Sequence, residues 1–185
     1  MIDRKKMAIL ISIHPEHVEN ILDYKKIIEL RKRIPDDAVS VKFYIYQTKH
    51  AWIYKRLKWL APRRGKVVAE FVCSKIDKYG FDWPLFTRYG IQCFNIPRID
   101  LYCMCLTSEE VMEYAGKSDV TLKGIHISDL KIYDKPKELS EFRKPKRFEG
   151  FQYTKDGKLV FADRWVDGDM ITVAPQSWCW VEELE

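Results

Sequence analysis

The thirteen residues ILDYKKIIELRKR (Ile21–Arg33) constrain this chain more than any other stretch, because the hydrophobic period changes inside them. Upstream, Val18, Ile21 and Leu22 recur at the i, i+3, i+4 spacing of a helix face. Pro15 suits the first position of that helix, where a missing N–H costs nothing. Downstream, Ile27–Lys32 alternates with period 2. Ile28 and Leu30 fall on one side of a strand, and Glu29, Arg31 and Arg33 on the other. The short apolar run Met7–Ile13, rich in Ile, reads as a buried strand ahead of the helix. Strand, helix and strand in close succession suggest a mixed sheet or a small closed barrel with helical decoration. They also place Lys26, Glu29 and Arg31 at one junction.

The remaining elements follow the same logic. Val39–Tyr46 alternates Val39, Val41, Phe43 and Ile45 against Ser40, Lys42, Tyr44 and Tyr46, which predicts a half-buried strand with both tyrosines on its exposed side. Trp52, Ile53, Arg56, Leu57 and Leu60 have helical spacing that Pro62 ends. Val67–Ile76 predicts a strand carrying Glu70, and residues 77–106 show no clean period. Thr107-Ser-Glu-Glu110 is a capping box opening a helix that should stop near Gly116. Ile125–Tyr133 alternates as a strand, and Asp156-Gly157 between apolar flanks marks a hairpin. Ser177–Val181 closes the chain as a strand with Trp178 and Trp180 on one face, read as core. The expected architecture is α+β, a mixed sheet or small barrel with helical decoration, in a single domain spanning 1–185.

The junction resembles the signature of the ASCH domain family, a branch of the PUA-like barrels. Family members carry Gly-x-Lys-x-x-Glu-x-Arg after their first helix. Here Lys26, Glu29 and Arg31 stand at the Lys, Glu and Arg positions, and Tyr24 stands where the family has Gly. Ser12–Leu22 precedes the motif, and Lys66–Ile76, Ile125–Phe142 and Ala174–Glu183 follow in the family's order. The resemblance implies a PUA-like mixed β pseudobarrel with flanking helices, inserted segments at 48–65, 77–106 and 143–170, and a ligand cleft beside the junction. Some small ASCH relatives are amidohydrolases that deacetylate acetylated cytidine. This chain is similar to them at Lys26, Arg31 and Glu70, but has Glu29 where their motif has the Thr thought to be the nucleophile. A carboxylate forms no ordinary acyl ester, which leaves water attack with Glu29 or Lys26 as base.

Lys26 sits where helix meets strand, which predicts a position near a sheet edge rather than deep in the core. Arg31 offers a planar fork for carboxylate or phosphate. Glu70, with apolar neighbours in its strand, needs a partner, and Lys26 or Arg31 is the expected one. Net charge is +5, unevenly spread: residues 25–66 hold thirteen Lys/Arg against three acids, a local +10. Such a block marks a polyanion partner. Lys55, Arg56, Lys58, Arg63, Arg64 and Lys66 are the expected phosphate contacts, with Arg33, Tyr44 and Tyr46 beside them; exposed tyrosines would stack bases. His14-x-x-His17 and Cys103-x-Cys105 lack zinc-site spacing, and no dinucleotide or phosphate-loop motif occurs, so neither metal nor cofactor is expected.

Five cysteines without a C-x-x-C pair fit reduced thiols in the cytoplasm. No signal peptide or membrane helix is expected. Three functions are consistent with this pattern. The first is an RNA-binding module, or one for another single-stranded nucleic acid, seating a base or modified nucleotide at Lys26, Glu29 and Arg31. The second is an enzyme on a modified nucleoside, or a ribonuclease, using Lys26, Glu29 and Glu70. The third is a protein-interaction module.

Overall fold

The computed structural model describes residues 7–49, 62–90, 93–116 and 120–184. They form strands β1 (Met7–Ile13), β2 (Ile28–Arg31), β3 (Lys42–Gln47), β4 (Val67–Tyr79), β5 (Leu122–Lys137), β6 (Arg143–Tyr153), β7 (Leu159–Met170) and β8 (Trp178–Glu182). The helices are α1 (Pro15–Leu22), α2 (Trp83–Tyr89), α3 (Arg98–Met104) and α4 (Ser108–Ala115). A 3-10 turn at Leu139–Glu141 precedes β6. Strand order in the main, mixed sheet is β2-β5-β4-β3-β1-β8, and β6 and β7 make a separate two-stranded sheet. The α+β class expected from the sequence is the class observed.

The chain divides into two compact units, one of Met1–Ile13, Lys42–Val68 and Tyr133–Glu185, the other of His14–Val41 and Ala69–Ile132. In the first, β1 lies parallel to β3 (Ile9 opposite Phe43) and antiparallel to β8 (Ile9 opposite Trp180). All seven residues of β1 are buried, which is why its sequence is continuously apolar rather than alternating. The core of this unit gathers Ala8, Leu10, Tyr44, Tyr46, Val67, Phe142, Ile171 and Val181. Tyr44 and Tyr46 are therefore not the exposed stacking rings that alternation predicted; they are 0% and 3% exposed. Phe142, a hundred residues on in sequence, packs edge-on against Tyr44 at 4.9 Å, and the Tyr44 hydroxyl accepts a hydrogen bond from the Leu184 N–H. With its hydroxyl satisfied, a tyrosine ring is stable in a core. Trp178 and Trp180 are half-buried, their rings 6.3 Å apart.

The second unit packs Ile28, Leu30, Tyr79, Phe94, Met104, Val111, Ala115 and Leu122 together. β2 pairs antiparallel with β5, setting Glu29 opposite Ile125 and Arg31 opposite Lys123. Residues 77–106, without a readable period, hold the end of β4 and the short helices α2 and α3. α4 is opened by the Thr107–Glu110 capping box, both reciprocal bonds being made, and stops at Gly116 in the left-handed region (φ 71°). The expected helix at 52–60 lies outside the described residues. Residues 143–170 form the β6–β7 hairpin, whose turn at Asp156-Gly157 is the one the sequence predicts (Gly157 φ 80°).

Candidate functional site

The site is built where α1 ends. Asp23 caps the helix, and Tyr24 then enters the left-handed region (φ 58°), its N–H bonded to the Ile21 carbonyl. This reversal lets the N–H groups of Lys25 and Lys26 share the Asn20 carbonyl, both at 2.9 Å. It also turns the Lys26 side chain inward. The left-handed backbone accounts physically for a glycine at this place in the ASCH pattern. Tyr24 adopts the conformation with its ring 65% exposed.

Three of the charged residues expected to converge do so. Lys26 Nζ donates to the Met104 carbonyl at 2.6 Å, a cation on the last turn of α3, and lies 3.4 Å from Glu29 Oε2. Arg31 Nη2 meets the other oxygen, Glu29 Oε1, at 3.0 Å. Lys26 and Glu29 are only 2% and 4% exposed. Lys26 thus adjoins β2, an edge strand, but is buried away from solvent. The α3 carbonyl and Glu29 satisfy its ammonium inside the unit, which is what allows it to be buried. Burial pushes the Glu29 carboxyl up, but the Lys26 ammonium and Arg31 guanidinium outweigh it and hold the group below its ordinary value. A carboxylate held in its ionised form accepts hydrogen bonds well and takes up protons poorly.

His17, weighed from sequence only as half of a metal pair, and Tyr114, not singled out at all, belong to the same cluster. His17 feels Lys26, Glu29 and Arg31. Burial first, then Lys26, lowers its pKa, favouring the neutral ring. Its place one residue before Val18 puts it on the flank of the buried helix face, and that phase was the available signal. Burial raises the Tyr114 phenol, which feels both Arg31 and Glu29. Lys32 Nζ stands 5.1 Å from the Tyr114 ring centroid. His17 Nδ1 is buried and makes no hydrogen bond among the described residues, while Glu29 Oε2 has the Lys26 ammonium 3.4 Å away.

The other expected residues distribute elsewhere. Glu70 is half-buried in β4 with Lys131 Nζ 3.8 Å from it, and Lys26 is engaged by Met104 and Glu29. Arg33 is exposed just past β2. Arg63 is half-buried and Arg64 exposed, while Lys66 pairs with Glu138 at 2.9 Å. Lys55, Arg56 and Lys58 lie outside the described residues. In the first unit, Tyr46 lines an open cavity of about 710 Å³ with Ser12, Thr48, Lys49, Glu138 and Ser140. His126 Nε2 makes a 2.7 Å contact with Asp77 Oδ2.

No protein-family model matches the chain, and no curated protein is significantly similar to it. Solved structures are similar. A serine-to-alanine mutant of ASCH from Zymomonas mobilis is 18% identical with a TM-score of 0.50, covering 97% of this chain and 90% of that one. The fold is that of an ASCH domain. A crystal structure of the unmutated Zymomonas mobilis ASCH gives 18% identity and a TM-score of 0.48 over 95% of this chain and 87% of that one. At such identity the likeness is one of fold. The ASCH motif positions Lys26, Glu29 and Arg31 nevertheless form one interlocked cluster in this chain, at the helix-to-strand junction where the pattern places them.

Proposed function

We propose that this ASCH-fold protein is an RNA-directed binding module that seats one unpaired or modified base at the Lys26–Glu29–Arg31–His17 cluster. The observation that carries the reading is His17 Nδ1, a buried polar atom that makes no hydrogen bond among the described residues beside the Lys26–Glu29–Arg31 charges. A buried acceptor in this state is costly, and an incoming donor relieves the cost. An exocyclic amino group of a base supplies such a donor, and the Arg31 and Lys32 cations beside it suit the attached phosphate. Glu29 is better suited to accepting than to general-base work, because its neighbours stabilise the ionised form. The basic segment 25–66 supports a sequence-independent phosphate contribution to the same binding.

Titration of labelled single-stranded RNA with the full chain, at rising salt, tests the reading. Affinity should fall steeply with salt. Arg63→Ala with Arg64→Ala should flatten the slope by about one unit per lost contact. Glu29→Gln, measured where its circular dichroism matches the parent, should weaken binding by about 1–2 kcal/mol, the scale of one charge-assisted hydrogen bond made neutral. Salt-independent binding, or none, would refute the proposal. Turnover of an acetylated nucleoside by the parent chain would replace it with the hydrolase reading.

A further inference from the structure

The β6–β7 hairpin is an arm of about 35 Å, from its eleven-residue first strand. Its base is tightly specified. The ladder slips between Lys144 and Lys146, and a Cβ on Gly168 would fall 1.4 Å from the Lys144 carbonyl oxygen, so no side chain fits there. Its outer half is different. Phe151 stands opposite Phe161, and Tyr153 opposite Leu159, making one face of four large apolar side chains. They are 70%, 57%, 74% and 52% exposed in that order, and the two phenylalanine rings meet edge-on at 5.5 Å. Both a contiguous exposed apolar face and a bare two-stranded ribbon call for a partner.

The charges around the quartet identify which. Lys155 and Lys158 lie beyond it at the turn. Glu149 lies one step before it toward the base. The apolar quartet is thus centred between a positive end and a negative end, each about 7 Å away along the strand. We propose that this face is a self-association surface, on which two copies of the chain pack their Phe151–Tyr153–Leu159–Phe161 quartets together about a two-fold axis with the arms antiparallel.

That symmetry sets Lys155 and Lys158 of each copy against Glu149 of the other, so the attraction is made twice. Parallel arms would oppose lysine to lysine. A nucleic acid lying along the same face would run its phosphates past Glu149, which repels them. Eight partly exposed side chains bury on the order of 1,000 Å² between two copies, at the lower end for a specific interface, so the dimer is a weak one.

Sedimentation velocity of the full chain without nucleic acid, over a wide concentration range, tests this independently of any RNA affinity. The parent should show a concentration-dependent monomer–dimer equilibrium. Phe151→Ser with Phe161→Ser should remain monomeric throughout with an unchanged circular dichroism spectrum. Lys155→Glu with Lys158→Glu should weaken the dimer at least tenfold, and adding Glu149→Lys to that variant should restore it to within a few-fold. A parent that stays monomeric at every concentration overturns the proposal, as does a dimer that survives loss of both phenylalanines. Failure of the charge exchange to rescue overturns the antiparallel arrangement. A monomeric parent whose RNA affinity falls in the Phe151→Ser, Phe161→Ser variant would make the arm a base-stacking platform instead.

Discussion

Glu29 is the centre of the buried cluster, and removing its charge should be felt first as lost stability. At 3.4 Å from Lys26 and 3.0 Å from Arg31 the two attractions are worth about 5 kcal/mol each at the effective dielectric of a protein interior. Desolvation of the charges opposes this by several kcal/mol per ion, so the intact cluster has a small net effect. Loss of one member is a different matter. Lys26, on a side chain 1% exposed, then keeps the Met104 carbonyl, and Arg31 loses its 3.0 Å contact. Breaking a buried pair in this way typically costs about 3–5 kcal/mol.

Glu29→Gln keeps an acceptor oxygen and should lie at the lower end, a loss of about 3 kcal/mol in equilibrium urea unfolding. Adding Lys26→Met should cost much less than its effect alone, because the cation stranded by the first change has gone. A loss below about 1 kcal/mol in Glu29→Gln, or strict additivity of the two changes, would refute the interlocked network. The acid limb gives a second readout. The folded carboxyl is held below the ordinary 4.5, so the unfolded chain takes up this proton first. The contribution is complete above about pH 4.5 and drains away as pH falls through the folded value. Glu29→Gln should remove that part of the acid sensitivity.

Two further predictions concern the neighbours of this cluster. Tyr24→Gly should stabilise the fold by roughly 0.5–1 kcal/mol in urea, since glycine removes the left-handed penalty of about 1–2 kcal/mol at the cost of some chain entropy, and the exposed ring contributes little packing. A loss of stability would show that the ring is held in place by its surroundings. For His17, burial lowers the folded pKa from 6.5, so its stabilising effect is complete above that pH and declines as pH falls below it. His17→Asn should flatten the pH dependence of stability between about pH 6.5 and the Glu29 range; an unchanged slope would place the titration elsewhere.

Much of this molecule is local, and local features are legible in one dimension. Pro15 at the helix start, the Thr107–Glu110 box, Gly116 at the helix end and the Asp156-Gly157 turn each depend on backbone groups a few residues away. The Glu29–Arg31 pairing was legible for the same reason: the two residues are i, i+2 in one strand and share a face, with Lys26 just before it.

Other features required the third dimension. Alternation in β3 says that Tyr44 and Phe43 point to opposite faces; it cannot say that Phe142 arrives to cover the second face. Glu70 has a strand phase, but the sequence does not say that Lys131 of the neighbouring strand β5 comes within 3.8 Å of it. Lys26 is buried because the Met104 carbonyl, 78 residues away, ends a helix on its ammonium. Hydrophobic period and turn chemistry determine which elements form and which side each residue takes. Whether a charged or aromatic side is buried depends on what another segment brings to it, and that is decided only when the chain closes on itself.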